Sequence, residues 1–167
     1  MFRAMRRRMQ QLDIDRAERI LDEATSGTLA LIGDGGYPYA VPVSFVRDGD
    51  RIYFHGARSG HKYDAIKAEP RASFCVIAAD EVVPERYTTR YRSAIAFGRV
   101  RIVEDKDEID RSIRLLALRY HPADSQEHRE KYIRAEYAGL CMFAFEIEHL
   151  TGKQSHELAL AERNKEA

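Results

Sequence analysis

The spacing of apolar residues changes several times along this chain, and each change predicts an element. Between residues 13 and 25, Ala17, Ile20, Leu21 and Ala24 recur at helical spacing. This predicts a helix opening on Asp13 or Asp15, with Gly27 placed to end it. "TLALIG" reads as a short strand, and "DGGY" as a tight turn, because Asp-Gly and Gly-Gly supply the positive φ such turns need. "PYAVPVSFV" then alternates, with Tyr39, Val41, Val43 and Phe45 on one face and Ala40, Pro42 and Ser44 on the other. "RDGDR" turns the chain again and "IYFH" returns it. Strands joined through short Gly turns pair antiparallel.

A short helix beginning near "GHK" is stopped by Pro70. "ASFCVIAA" and "RSAIAFGRVRIV" are the next strands. The second puts Ile95, Phe97 and Val103 on one face and Ala94, Ala96, Gly98, Val100 and Ile102 on the other. Asp105 and Glu108 have capping-box spacing. The helix behind them buries Ile109, Ile113, Leu116 and Tyr120, and His121-Pro122 ends it. A polar helix is predicted over 126–137, then a last strand, "CMFAFEIEHL". Residues 154–167 read as a polar tail that frays. The order gives a mainly β, α+β class: an antiparallel barrel with flanking helices, in one domain over residues 1–153 with helix 13–25 as its lead-in. The regular strand–helix alternation of a doubly wound sheet is absent.

Composition narrows the function classes. Lys and Arg number 27, as do Asp and Glu, so the formal charge is zero and no global basic footprint for nucleic acid exists. Arg6, Arg7 and Arg8 read as a solvated run. Cys75 and Cys141 sit in apolar runs, are expected to be buried, and lack the paired spacing of a zinc site. The histidines (55, 61, 121, 128, 149 and 156) form no HExxH or other metal spacing, so no metal is expected. His121 reads as a helix end and His149 as a sheet residue. With no apolar signal-peptide core and no apolar run of the ~20 residues needed to span a bilayer, a cytoplasmic protein without membrane contact is expected. No G-x-S-x-G elbow suggests a serine hydrolase.

The stretch carrying candidate chemistry is "IYFHGARSGHK", residues 52–62. A strand ends at His55, a glycine turn follows, and Gly60, His61 and Lys62 open a helix. Amides at a helix start lack intrahelical partners, and the helix dipole favours an anion there. Ser59 can donate a hydrogen bond, Gly60 admits close backbone approach, and Lys62 adds a full charge. A phosphate monoester suits this cluster. The same residues also read as a plain glycine turn with an exposed Lys and a His cap. Pro42 adds a second signal: it interrupts a regular strand, so backbone groups of Val41 and Val43 could face a flat ligand rather than another strand.

"DGGYPYAVPVSF", "IYFHGARSGHKYDAIKAEPRASFCV" and "TTRYRSAIAFGRV", in that order, resemble the pyridoxamine 5′-phosphate oxidase-related flavoproteins, and within them the nitroimidazole-resistance (Nim) branch. The resemblance runs from about residue 5 to 153 and includes "IEHLTGK". It implies a split β-barrel that binds FMN at a homodimer interface and acts as an oxidoreductase on a small molecule, with nitroreductase-like chemistry one expectation. Lys62 and His61 would hold the phosphate, with Ser59 nearby. Phe54, His55 and Gly56 would run beside the flavin, and Val41, Pro42, Val43 and Ser44 would line its ring system. Tyr91 and Ser93 would come from the second subunit, and "RYTTRYRS", with Tyr87 and Tyr91, would belong to the dimer face. His61 and His55 are the candidate catalytic residues. The C-terminal "TGKQSHELALAERNKEA" lacks the Arg and His pattern with which true pyridoxamine phosphate oxidases hold substrate phosphate. Three alternatives stay open: a deazaflavin in place of FMN, a flavin- or haem-binding sensor without turnover, with His55 or His149 as haem ligand, and a cofactor-free interaction protein that kept the fold.

Overall fold

Two stretches, Ile52–Phe54 and Cys141–Phe145, are buried at every position rather than at alternate ones. A strand reads this way only when both of its faces are covered, and that condition organises the molecule. The computed structural model describes residues 2–166. Its elements are β1 (Gln11–Leu12), α1 (Ile14–Glu23), β2 (Ser26–Ile32), β3 (Pro38–Ser44), β4 (Val46–Asp48), β5 (Arg51–Ala57), α2 (His61–Ala68), β6 (Arg71–Val83), β7 (Thr88–Ile102), α3 (Lys106–Tyr120), α4 (Gln126–Glu136), β8 (Leu140–Gln154) and α5 (His156–Glu166).

The strands form one antiparallel sheet in the order β3-β2-β6-β7-β8-β5-β4, and β1 also pairs with β8. The sheet curls into a half-barrel with flanking helices, a split-barrel α+β fold. Its inner face buries Leu29, Phe45, Phe54, Phe74, Val76, Val100, Phe143 and Phe145, with Ile20 and Leu21 of α1 and Ile66 of α2 in the same cluster. A second cluster lies on the other side of β5 and β8. It joins Tyr53, Met142 and Ala144 to Ile113 of α3 and Ile133 of α4. Helices on both sides therefore account for the unbroken apolar runs.

Several expectations hold at residue level. Asp13 caps α1, its Oδ1 accepting from the Arg16 amide at 2.8 Å. Gly35, Gly36 and Gly49 take positive φ in the two expected turns. Tyr39, Val41, Val43 and Phe45 turn inward, while Ala40, Pro42 and Ser44 are exposed.

Others are corrected. Gly27 does not end α1; it lies within β2 against the Phe74 ring. Asp105 caps α3, but Glu108 does not close the box, because its carboxylate accepts from Arg101 and Tyr53 instead. Val103 lies beyond the end of β7 and is buried in the second cluster, not beside exposed Ile95 and Phe97. Cys75 is half-exposed on the outer sheet face; only Cys141 is buried. Residues 79–92 extend β6 and β7 into a two-stranded arm whose turn uses Tyr87 at φ 49° in place of a glycine. The segment read as a fraying tail completes β8 and forms α5, held by Glu162 on Arg16 and Arg92 and by Glu157 on Arg86 and Arg90.

Candidate functional site

β5 and α2 meet at the turn singled out in the sequence. Gly60 is the N-cap of α2 with φ 105°, a conformation that L side chains rarely adopt. It turns the chain sharply enough to place Lys62 beside the end of β5. The Lys62 ammonium lies 5.6 Å from the ring centres of both Phe54 and Phe143 and donates to the His55 carbonyl at 3.4 Å. No carboxylate pairs with it among the described residues. Burial pushes its pKa down. Gly56 makes this approach possible: a Cβ there would meet the Lys62 Nζ at 2.8 Å.

His61 is anchored on the other side of the turn. Its ring stacks on Tyr39, centroids 4.1 Å apart, and its Nε2 accepts from the Asp34 amide at 3.3 Å. A neutral ring accepting at Nε2 carries its proton on Nδ1. The "DGGY" turn thus holds the residue that follows the second turn, and Gly33 leaves room for it, since a Cβ there would lie 2.7 Å from the His61 Nε2. Sequence reading singled out both turns but gave no signal that they touch. Ser59 is exposed beside Gly60.

β3 is an edge strand, paired only with β2, with Pro42 opposite Thr28. Val41 and Val43 point into the core, so only their backbone can meet a ligand at the edge. Ser44 and His55 line an open cleft of about 710 Å³ that runs from the ends of β3 and β5 to α3 and α4. Neither side chain has a hydrogen-bond partner among the described residues. Burial, and then the charge of Lys62, push the His55 pKa down. No local pattern signals this cleft, because its walls come from elements far apart in the chain.

Tyr91 and Ser93 are not brought to the turn within one chain. Tyr91 lies opposite Asp80, donates to Gln10 at 3.3 Å and is covered by Lys153, and Ser93 lies between Ile77 and Lys153. None of these partners belongs to β3, β5 or α2. His149 is on the outer sheet face, stacked on Phe2 with centroids 4.6 Å apart. Among the described residues no cluster of three or more His, Cys, Asp or Glu could hold a metal ion, and no helix is long and apolar enough to cross a membrane.

Comparison with solved structures finds the same fold repeatedly. A candidate 5-nitroimidazole antibiotic resistance protein from Bacteroides thetaiotaomicron superposes with a TM-score of 0.73 at 22% identity, over 86% of each chain. A conserved hypothetical protein from Mycobacterium tuberculosis gives 0.78 at 17% identity, over 93% of this chain and 92% of that one. An FAD- and haem-binding protein from Mycobacterium smegmatis gives 0.72 at 26% identity, over 92% of this chain and 80% of that one. No curated protein matches in sequence. The family profile of pyridoxamine 5′-phosphate oxidase matches residues 13–154, which includes every strand but β1 and all helices but α5. This chain is a member of the pyridoxamine 5′-phosphate oxidase family.

Proposed function

We propose that the protein binds FMN, with the phosphate at the start of α2, and acts as an oxidoreductase on a small molecule. The observation that carries this reading is Lys62. Arginines across the molecule are widely paired with carboxylates, whereas this partly buried ammonium, among the described residues, has two aromatic rings and a carbonyl at 3.4 Å but no carboxylate. Burial lowers its pKa, and no carboxylate among the described residues offsets that cost. A phosphate fits: it would take charge-assisted hydrogen bonds from Lys62, from Ser59 and from the free amides of the α2 start, each worth roughly 1.5–3 kcal/mol. His61, fixed by Tyr39 and Asp34, would offer its Nδ1 proton.

The ring system would lie along the outer edge of β3, on the backbone of Val41 and Val43 and the exposed Pro42 and Ser44, with Phe54, His55 and Gly56 along its other margin. Tyr91 and Ser93 would reach it from a second copy of the chain, in a homodimer. When bound, the flavin supplies the electron transfer. The electron donor on this reading is a nicotinamide or another reductant, and the substrate a nitro-aromatic or another flat electrophile. His61 is committed to its contacts, so it serves to hold and orient. His55 has free ring nitrogens and a lowered pKa, so at neutral pH it is the group able to take or relay a proton at the cleft mouth. The flavin and haem named for the Mycobacterium smegmatis relative support a flavin here.

The test is the absorption spectrum of the purified protein, followed by FMN titration of wild type and Lys62→Ala. Flavin bands, and FMN binding weakened about tenfold or more in the variant, roughly 1.4 kcal/mol, are expected. Equal affinity in the two proteins would remove the phosphate site from this turn. A deazaflavin spectrum or a Soret band would replace FMN with that cofactor.

A further inference from the structure

The cleft beside His55 has a composition of its own. Its walls are apolar, formed by Ile113 and Leu116 of α3 and Ile133 of α4, with the rings of Tyr120 and Tyr132. Tyr120 is locked in place: its hydroxyl accepts from the Phe45 amide at 3.0 Å and donates to the Thr25 carbonyl. Its ring is therefore a fixed wall. Tyr132 is held through ring contact with His128, centroids 4.6 Å apart.

The polar groups are few and unengaged. Ser44, His55 and Glu136 are the polar side chains of the lining besides the two tyrosines. The Glu136 carboxylate has no ion-pair partner among the described residues, in a molecule where carboxylates such as Glu108, Glu130, Glu157 and Glu162 are each bound by arginine. Glu136 also ends α4, so the negative pole of the helix dipole lies beside it. No Arg or Lys lines the cleft. Apolar walls with a few convergent polar groups are the usual make-up of a small-molecule site. The negative charge of this one selects against phosphate or carboxylate ligands and for a cation.

We infer that the cleft between β5, α3 and α4 is the substrate pocket, and that it takes a planar aromatic cation, ring against Tyr120 and Leu116 and charged group on Glu136. This rests on the flavin reading only for the word substrate; the pocket and its charge preference stand on the cleft itself.

A matched pair of probes tests it: 2-naphthylmethylamine, a cation, and 2-naphthoate, an anion of similar shape. The chain has no tryptophan, so naphthalene emission and anisotropy report binding directly. The amine should bind at least about tenfold more tightly than the acid, the difference expected of one charge-assisted contact. Glu136→Gln, a change at an exposed position, should reduce that preference to less than about threefold while leaving the circular dichroism spectrum unchanged. Tyr132→Ala should weaken both probes. Equal binding of amine and acid, binding of neither, or indifference to Glu136→Gln would overturn the inference. So would displacement of the amine by FMN, because the cleft would then hold part of the flavin. Lys62→Ala separates the two proposals: loss of FMN with the amine still bound would leave the pocket standing alone, and retained FMN with no amine binding would leave only the flavin site.

Discussion

A methyl group on Gly27 would stand 2.3 Å from the Phe74 ring and 3.1 Å from Val76. Phe74 is fully buried and packed edge-on against Phe45 at 4.9 Å, so it cannot swing aside. Gly27→Ala is therefore expected to destabilise the fold by about 1–3 kcal/mol through overpacking. A lower urea midpoint at unchanged slope would show it, and an unshifted midpoint would mean that the barrel interior yields more than its packing suggests. The same residue shows what local reading misses. A glycine after a helical pattern looks like a terminator, and only the ring across the sheet reveals that its use here is steric. At the "GHK" turn local reading did better. The φ of Gly60 and the start of α2 at His61 both follow from the order Ser-Gly-His-Lys, because that conformation and the free amides are properties of the segment itself.

At the level of elements, α3 is fastened to the sheet by a polar network as well as by Ile113 and Leu116. Glu108 receives both terminal nitrogens of Arg101 on β7, at 2.7 and 3.0 Å, and the hydroxyl of buried Tyr53 on β5 at 2.8 Å. The hydrogen bond from Arg101 holds the Glu108 carboxyl below its ordinary pKa, against the effect of burial. A carboxylate with a lowered folded pKa stabilises the protein above the unfolded pKa, and that contribution is lost as pH falls through the folded value. Glu108→Gln should lower stability at neutral pH by about 1–3 kcal/mol, the range for leaving charged and buried partners unsatisfied. The gap between variant and wild type should narrow as pH is taken below the usual carboxylate range, about 4. Denaturant midpoints of both proteins across that range measure it; a gap independent of pH would show that the carboxylate charge is not what matters. In sequence Glu108 looked like the second half of a capping box. An arginine seven residues earlier carries no local signal that it will compete for the carboxylate, and a guanidinium fork outcompetes a single backbone amide.

At the scale of the whole molecule, the outer sheet face carries exposed apolar side chains. Ile77, Ile95 and Phe97 are exposed by 66%, 38% and 40% on neighbouring strands β6 and β7. Tyr91 and Ser93 lie on the same strand β7, away from the turn that they would complete. The homodimer of the proposed function would bury this face. On that reading Phe97→Glu, or Ile77→Lys, should shift the protein from dimer to monomer in sedimentation velocity with an unchanged circular dichroism spectrum. FMN affinity should fall together with dimerisation, since half of each site would leave. A stable dimer in both variants would place the interface elsewhere.

Much of the fold is legible in the sequence. Alternation in "PYAVPVSFV", the glycine turns and the helical spacing in α1 and α3 are local patterns. They are decided by sterics and by which face meets the core, so the sequence alone determined the strands of the barrel, the antiparallel class and the glycine turn that opens α2 at His61. Contacts distant in sequence were decided only by the tertiary structure. Among these are Asp34 on His61, Arg101 on Glu108, the two-sided burial of β5 and β8, and α5 held by Arg16 and Arg92. So was the cleft, because its lining comes from α3, α4 and the end of β5, which are far apart in sequence. The physical reason is common to all: a residue's own neighbours fix its backbone, but which side chain faces it across the fold depends on where the whole sheet curls.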